Sequence, residues 1–436
     1  MGTKVLKFGG SSLADANQFR RVANIIKSDH ERRYVVASAP GKRFSEDEKV
    51  TDMLYNCYCL AAAKEDIDTI FTKIEDRYRG IIKELELDFS LEDEFKKIRM
   101  SILHHAGRDY IASRGEYLNS MILAKFLSYD FIDAERVIFF HENGDFDSEL
   151  TNDVMSKVLA EHERAVIPGF YGVMANGTIK TFSRGGSDIT GSVVARAVKA
   201  DIYENWTDVS GMLMADPRLV ENPKTINVIT YKELRELSYM GATVLHEDAV
   251  FPVRKAGIPI NIRNTNDPAA DGTLIVPSIE NDDSQGVITG IAGKKGFSTI
   301  TVEKSQMNKV NFISEISRSL RHRNINIEHM PTGIDTISLV VSTEALSGKE
   351  NDLVSSLERH IAPDSVTFTD NIALIAVVGR KMVKSKGTAA RIFSAIGKAG
   401  VNIKMIDQGS SELNIIIAVE EKDYITALRA IYSSCV

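Results

Sequence analysis

The sequence contains few cysteines, a single tryptophan and no long apolar run. Its cysteines, Cys57, Cys59 and Cys435, have a spacing typical neither of a disulfide framework nor of a zinc site, so reduced structural thiols are expected. Apolar runs such as Ile415–Val419 are far shorter than the roughly 20 residues that span a bilayer. The N-terminus also lacks the apolar segment of a signal peptide. These absences predict a cytoplasmic protein with no membrane partner.

An excess of positive charge is missing too. Lysine and arginine total 53 against 60 acidic residues, which gives a formal net charge of −7, and no basic stripe is interleaved with aromatics. Nucleic-acid-binding proteins need such a stripe, so no nucleic-acid partner is expected. A chain of 436 residues with 43% hydrophobic and 26% charged residues is long enough for several globular domains.

Strand and helix patterns alternate over residues 1–280, which predicts an α/β domain with a mainly parallel sheet. Val5–Phe8 and Tyr34–Ala37 are short apolar strands separated by a helix-periodic segment. The charged, helix-periodic segment Asp66–Arg108 predicts a helical excursion from the sheet. The Asn176-Gly177 pair lies between alternating runs and predicts a hairpin.

The last third of the sequence contains a repeat. Asn266–Ser284, rich in Asn, Asp, Pro and Ser, is predicted to connect two domains. The pattern of Asn311–Val341 then recurs over Ala390–Val419. Because each copy is small for an independent core, the two are expected to pair and bury a shared surface. The predicted domain bounds are 1–280, 285–365 and 366–436.

Two glycine turns carry the main chemical signal. Lys7-Phe8-Gly9-Gly10-Ser11-Ser12 and Ser183-Arg184-Gly185-Gly186-Ser187-Asp188 each close an apolar strand and open a helix. Glycines let the backbone approach a ligand, helix N-termini favour anions, and Lys7 and Arg184 add positive charge. A phosphoryl-transfer site is equipped in this way, although the pattern is not a Walker P-loop.

Each candidate residue also has a plain structural explanation. Lys7 and Arg184 are also what a surface loop or an exposed turn would carry. Asp188 and Glu116 are predicted near helix starts, where the helix dipole alone favours an acid. For Asp188 the functional alternatives are accepting from a substrate ammonium, orienting Lys7 and approaching Mg²⁺. A third strand end, Trp206 to Arg218, is a candidate for holding adenosine and triphosphate.

In combination these motifs resemble the monofunctional aspartate kinases. The resemblance rests on residues 7–12, Arg-Gly-Gly-Ser-Asp at 184–188, Trp-Thr-Asp-Val at 206–209 and Asp-Pro-Arg at 216–218, and it covers essentially the whole chain. It implies a three-layer αβα, carbamate-kinase-like domain followed by two α+β, ferredoxin-like ACT domains. It also implies ATP-dependent phosphorylation of the L-aspartate β-carboxylate to 4-phospho-L-aspartate, with Mg²⁺, in lysine, threonine and methionine biosynthesis.

The resemblance implies a role for each matching residue. Lys7 contacts the transferred phosphoryl group, Arg184 takes a substrate carboxylate, and Asp188 organises the site. The implied substrate-binding residues are Ser38, Thr51, Glu116 and Arg184, with Glu116 on the α-ammonium. The implied ATP-binding residues are Lys7, Gly9, Gly10, Ser11, Thr207, Asp208, Met212, Asp216, Arg218 and Lys224. Independently of the name, a β-carboxylate with a reference pKa of about 3.9 is ionised at pH 7 and needs no general base.

The resemblance also implies that the ACT pair binds an amino-acid effector that inhibits the kinase. Lysine is the expected effector and threonine the alternative. The implied effector positions are Gln306, Met307, Asn311, Phe312, Ile313, Asn326, Glu328, Thr332 and Asp335. Pairing of ACT edge strands between chains predicts a homodimer or tetramer.

Two other functions share part of this pattern. A related amino-acid kinase with another acceptor would share the glycine turns, but such an enzyme is not expected to carry the ACT pair. A non-catalytic amino-acid sensor would retain the fold, but it is disfavoured because Lys7, Glu116, Arg184 and Asp188 are all intact.

Overall fold

The computed structural model describes residues 2–183, 185–242, 245, 247–279, 286–305 and 309–436, without the side chains of Glu247, Asp248 and residues 309–311. Arg184, Gln306, Met307 and the side chain of Asn311 therefore lie outside what is described. The chain divides into two compact units. The first comprises Met1–Met212, Thr225–Tyr231 and Val244–Glu280, and the second comprises Leu213–Lys224, Lys232–Thr243 and Asn281–Val436.

Short strands and longer helices alternate through the first part of the chain. The strands are β1 (Lys4–Phe8), β2 (Arg32–Ala37), β3 (Asp130–Phe131), β4 (Phe139–Phe140), β5 (Ala165–Pro168), β6 (Tyr171–Met174), β7 (Ile179–Thr181), β8 (Ile202–Thr207), β9 (Met212–Leu213), β10 (Thr225–Ile226), β11 (Val228–Thr230), β12 (Ile260–Asn264) and β13 (Thr273–Val276). The helices are α1 (Ala16–Lys27), α2 (Val50–Ala62), α3 (Asp68–Glu84), α4 (Glu92–Leu103), α5 (Arg108–Leu127), α6 (Ser148–Ala160), α7 (Gly186–Ala197), α8 (Tyr231–Tyr239) and α9 (Glu247–Ala256).

The main sheet of the first unit has the strand order β11-β13-β12-β8-β1-β2-β5-β3. Its neighbouring strands are parallel at β8-β1-β2-β5, and β12 and β13 pair antiparallel. The first crossover helix begins where Asp15 Oδ1 accepts from the Gln18 amide at 2.9 Å, and it buries Phe19, Val22 and Ile26 against the sheet core. The predicted α/β domain with a mainly parallel sheet is confirmed.

Two local predictions are confirmed and one is wrong in part. Helices α3 and α4 form the predicted excursion, and β6 and β7 pair antiparallel around Asn176-Gly177. The predicted connector Asn266–Ser284 contains a strand, because residues 273–276 pair with β11 and β12 in the main sheet. Thr273 and Ile275 are fully buried there, so the polar composition of the flanking turns concealed a core strand.

The second unit is built on an antiparallel five-stranded sheet in the order β15-β14-β16-β18-β17. Its strands are β14 (Gly290–Glu303), β15 (Thr336–Ser342), β16 (Ser365–Val378), β17 (Ile403–Asp407) and β18 (Asn414–Glu420). Its helices are α10 (Lys309–Arg321), α11 (Thr343–Leu346), α12 (Glu350–Ile361), α13 (Thr388–Lys398) and α14 (Tyr424–Cys435).

Two hydrophobic clusters lie on this sheet. One joins Ile300 and Val302 to α10 and α12, and the other joins Ile291 and Ile375 to α13 and α14. Strands β14 and β16 therefore contribute to both clusters, so the two repeats share strands as well as a surface. The bounds 285–365 and 366–436 stay a prediction.

Within the described ranges, no helix is both long and apolar enough to cross a membrane.

Candidate active site

Three strands of the main sheet end at the same edge. Gly9, after β1, donates its amide to the Trp206 carbonyl oxygen of β8 at 3.0 Å. Ser38, after β2, donates its amide to the Phe8 carbonyl oxygen at 3.2 Å. Because the carboxyl ends of parallel strands commonly form a ligand crevice, this edge is the candidate site.

A lysine, an aspartate and an asparagine meet at this edge. Lys7 pairs in register with Asn205 on β8, so the two side chains share one face of the sheet. Lys7 Nζ lies 2.7 Å from Asp188 Oδ1, and Asn205 Nδ2 donates to the same oxygen at 2.9 Å. Lys7 is buried, at 8% exposure, so its description as a surface lysine is wrong. Asp188 and Asn205 therefore hold one ammonium at the strand end, a contact that favours the orienting role for Asp188, and that role stays a prediction.

The first glycine turn is closely packed against the loop that follows β2. A Cβ atom on Gly10 would lie 2.9 Å from the Ala39 carbonyl oxygen, and Gly41 donates its amide to the Gly10 carbonyl oxygen at 2.8 Å. The Ser12 and Thr265 hydroxyl oxygens are 2.7 Å apart. The predicted nucleotide residues Gly9, Gly10 and Ser11 therefore lie in one turn held from both sides.

The second glycine turn brings α7 to the same sheet edge. Gly185 has a φ of 59°, a left-handed conformation that glycine adopts without strain. A Cβ on Gly186 would lie 2.5 Å from a ring carbon of Phe170, so only glycine permits this approach of α7 to the chain after β5. Asp188 follows in the first turn of α7. Arg184 lies outside the described residues, so its predicted roles stay a prediction.

Glu116 is in the middle of α5, not near a helix start. The helix-dipole explanation for this acid is therefore wrong. Glu116 is buried, and burial raises its pKa to about 8, while the nearby Ala39 amide acts in the opposite direction. Its Oε2 has no hydrogen-bond partner among the residues described. An unpaired buried carboxyl oxygen next to the glycine turn is suited to a ligand that donates hydrogen bonds.

The other two predicted substrate residues lie around the same loop. Ser38 follows β2, and its carbonyl oxygen accepts from Asn119 Nδ2 at 2.7 Å. Thr51 lies in the first turn of α2, which starts where the Val50 amide donates to the Pro40 carbonyl oxygen at 3.2 Å. Residues 42–49, which connect the loop after β2 to α2, therefore begin and end beside the site.

A buried ion pair anchors that segment. Arg77 Nη2 on α3 lies 2.7 Å from Asp47 Oδ2, and Arg77 Nη1 donates to the Gly41 carbonyl oxygen at 3.1 Å. Arg43 Nε also donates to Asp47 Oδ2, at 2.8 Å. The hydrogen bond from Arg43 and the nearby Arg77 charge hold the pKa of Asp47 well below its usual range.

Replacing Asp47 with asparagine is expected to lower the free energy of unfolding by about 3 kcal/mol, because it leaves the buried Arg77 charge without its anion. The lowered Asp47 pKa means that this contribution is complete above the ordinary aspartate pKa and is lost only as pH falls through the lowered value. Urea unfolding followed by fluorescence of the single, buried Trp206 measures it. Asp52→Asn on α2 is the control, and an equal loss in both variants would contradict the anchoring role.

The remaining predicted nucleotide residues fall in both units. Thr207 ends β8, its Oγ1 lies 3.2 Å from Asp208 Oδ1, and Met212 is buried in the first unit. Asp216, Arg218 and Lys224 belong to the second unit. There the Arg218 guanidinium hydrogen-bonds the Asp216 carboxylate at 2.6–3.1 Å, which lowers the Asp216 pKa, and Lys224 Nζ donates to the Val436 carbonyl oxygen at 2.8 Å.

The described effector positions lie in the second unit. Glu328 accepts a hydrogen bond from the Tyr239 hydroxyl, which raises the pKa of Tyr239 to about 12. Phe312 is buried on α10, and Thr332 bridges to Ile337 at the start of β15. The other described effector positions are Ile313, Asn326 and Asp335, and their role in binding an effector stays a prediction.

Two residues of the site were missed by the sequence reasoning. Asn205 contacts Asp188, and Asn119 contacts Ser38. A signal existed for each: Asn205 precedes Thr207 by two residues on a strand, and Asn119 follows Glu116 by one helical turn.

Comparison with known proteins agrees with this geometry. The model of the amino acid kinase family matches residues 2–264, and an ACT domain model matches residues 375–434. Aspartokinase 3 of Bacillus subtilis is 36% identical, covering 98% of each chain.

Two solved structures are similar over the whole chain. The Clostridium acetobutylicum aspartate kinase, described as an allosteric enzyme, has 50% identity and a TM-score of 0.90 over 100% of both chains. Aspartokinase III of E. coli, solved with aspartate and ADP, has 25% identity and a TM-score of 0.74 over 99% of both chains. The chain therefore belongs to the amino acid kinase family and, within it, to the aspartokinases.

Proposed function

We propose that this protein transfers the γ-phosphoryl group of ATP to the β-carboxylate of L-aspartate, giving 4-phospho-L-aspartate and ADP. The observation that carries the proposal is the Lys7–Asp188–Asn205 contact at a glycine turn, beside a buried acid with one oxygen that is unpaired among the described residues. The similar E. coli aspartokinase III was solved with aspartate and ADP, which supports this pair of ligands.

Phosphoryl transfer to a carboxylate requires neutralisation of the negative charge on the phosphates and does not require a general base. A bond forms between a β-carboxylate oxygen and the γ-phosphorus while the bond to the bridging oxygen breaks, and ADP leaves with the electron pair. The nucleophile is already ionised at pH 7, so no proton moves in this step. Lys7 is assigned to the charge on the transferred group, Asp188 and Asn205 to holding Lys7, and Glu116 to the α-ammonium.

Mg²⁺ is assigned to the nucleotide and not to a protein cage. In the part of the chain that the structure describes, no group of three or more His, Cys, Asp or Glu side chains is placed to hold a metal. Mg²⁺ in kinases is bound mostly by phosphates and water, with one or two carboxylates, and it neutralises charge on the phosphates. The exposed Asp208, at the end of β8, is the carboxylate we assign to it.

Acyl-phosphate formation tests the function. Incubation with ATP, Mg²⁺ and hydroxylamine is expected to give a hydroxamate with L-aspartate and none with L-glutamate or without an acceptor. Hydroxamate with glutamate alone would instead indicate a kinase with another acceptor. ATP and aspartate binding without any hydroxamate would indicate the sensor.

We also propose that lysine binds the second unit and inhibits the kinase. The similar Clostridium enzyme is described as allosteric, which supports regulation, and Glu328 provides a carboxylate for an ammonium group. Residues 328–333 pair with the outer edge of β15, so β17 is the edge strand through which we propose that chains associate as a homodimer or tetramer.

Calorimetric titration is expected to show lysine binding that is at least tenfold weaker in Glu328→Gln, because an ammonium loses its ionic partner. Glu358→Gln, an exposed acid on α12, is the control and should bind lysine normally. Binding of threonine but not lysine would contradict the assignment of the effector.

A further inference from the structure

One peptide group beside the candidate site is hydrogen-bonded by α5 and is close to an acid on the same helix. The Ser38 carbonyl oxygen accepts from Asn119 Nδ2 at 2.7 Å, and the Ala39 amide of the same peptide group favours the ionised form of the nearby Glu116 carboxyl. Glu116 and Asn119 are three residues apart on α5, so they lie on one side of the helix. Because a peptide group is planar, a hydrogen bond that fixes its C=O also limits the orientation of its N–H.

Ala39, which supplies the N–H of this peptide group, lies between α5 and the glycine turn. The Ala39 carbonyl oxygen faces Gly10, where a Cβ atom would lie 2.9 Å away. On the other side, a Cβ on Gly115 would lie 2.8 Å from the Ala39 Cβ, so α5 packs directly against the loop. A rotation of this peptide group would therefore displace Ser38 and also Ala39, whose amide is near Glu116 and whose carbonyl oxygen faces Gly10.

Asn119 is poorly explained as a core residue. It is fully buried, and its Oδ1 has no hydrogen-bond partner in the described parts of the chain. An unpaired acceptor in the core is unfavourable, and an apolar side chain of similar size would avoid it. What Asn119 supplies beyond packing is its hydrogen bond to Ser38.

We propose that Asn119 is a positioning residue for the phosphoryl acceptor. Acting through the Ser38–Ala39 peptide group, it keeps Ser38 and Glu116 in the arrangement that receives an amino acid next to the glycine turn. The inference rests on the proposed function. It adds a hydrogen bond that positions the acceptor, as Asp188 and Asn205 are assigned to position Lys7.

Two substitutions test it. Asn119→Leu removes the donor with little change of volume, and Asn119→Asp keeps the shape but places an acceptor against the Ser38 carbonyl oxygen. Both are expected to lower kcat/KM for aspartate about 10-fold to 100-fold, mostly through KM, because a small displacement of a binding group costs about that much. KM for ATP should change less than about threefold. Ser120→Ala, the neighbouring fully buried position, is the control and should match the wild type.

The pH profile separates positioning from a general structural defect. The Ala39 amide favours the ionised form of Glu116, so loss of its alignment raises the Glu116 pKa further. The acid limb of kcat/KM for aspartate is therefore expected to move to higher pH in the Asn119 variants and to stay in place in Ser120→Ala. A structural defect would lower the profile without moving this limb.

The outcomes distinguish this inference from the function on which it rests. A wild-type protein that forms no acyl phosphate from aspartate overturns both. An active wild type with Asn119 variants equal to Ser120→Ala, or with KM for ATP raised as much as KM for aspartate, overturns the positioning role alone. If Asn119→Leu does not fold, Asn119→Ser decides: it retains a donor, and partial recovery relative to Asn119→Asp supports the role while equal activity overturns it.

Discussion

Lys7→Ala is expected to reduce turnover with aspartate by at least about a thousandfold while the protein remains folded. The Lys7 ammonium is the charge that Asp188 holds at the glycine turn, at 2.7 Å, and a preorganised charge near a transferred phosphoryl group supplies much of the barrier reduction. In the variant, Asp188 keeps its hydrogen bond from Asn205, so its carboxylate is not left without a partner. Hydroxamate formation under saturating ATP and aspartate measures the effect.

The same strand offers a matched control. Lys4 lies at the start of β1, where its ammonium is 2.6 Å from Asp29 and 3.4 Å from Glu31, and it is more exposed than Lys7. Lys4→Ala is expected to keep turnover within about twofold, because partly exposed ion pairs contribute little. Near-normal turnover in Lys7→Ala would remove this lysine from the mechanism, and an equal loss in both variants would indicate damage to the strand.

Local patterns were sufficient to predict the alternating architecture of the first unit, except for strand β13. The alternation of short apolar strands with helix-periodic segments depends on neighbours within a few residues, and those neighbours are visible in the sequence. For the same reason the Asn176-Gly177 hairpin and the helical excursion between Asp66 and Arg108 were predicted correctly. Lys7 could be placed at a strand end because its strand and the following glycines are adjacent.

The sequence did not predict contacts made across the sheet. Asn205 reaches Asp188 only because the register of β1 and β8 pairs Lys7 with Asn205. Asn119 depends on how closely α5 approaches the loop after β2, which Gly115 permits. These contacts between distant parts of the chain are determined by tertiary packing, so no short sequence motif predicts them.

The sequence also did not show which strands of the two repeats are buried in a common core. Strands β14 and β16 each extend through both hydrophobic clusters, since Ile300 and Phe368 face one and Ile291 and Ile375 face the other. A sequence repeat identifies two similar units, but it does not show that single strands contribute to the cores of both. The pairing of β14 with β16 extends beside both clusters, with irregularities on each side of Phe297, so one sheet joins the two halves of the second unit.

Binding of aspartate is expected to release close to one proton per site at pH 7, and the Glu116→Gln variant is expected to release none. Burial raises the pKa of Glu116 to about 8, so the free protein holds this acid mostly protonated at pH 7. A substrate ammonium favours the carboxylate and displaces the proton. Calorimetry in buffers of different ionisation enthalpy counts the protons, and Glu135→Gln, another acid with a pKa raised by burial, is the control.

The same group sets two pH dependences of opposite sign. Aspartate affinity is expected to rise with pH up to about 8 and then level off, and Glu116→Gln should bind aspartate at least about a hundredfold more weakly above that pH, with no such rise. Stability follows the other direction. Because the folded pKa exceeds the unfolded value, the contribution of protonated Glu116 is complete below the unfolded pKa and is lost as pH rises through about 8. Affinity independent of pH from 6 to 9 in the wild type would show that Glu116 does not bind the ammonium, because an ammonium bound there must displace its proton.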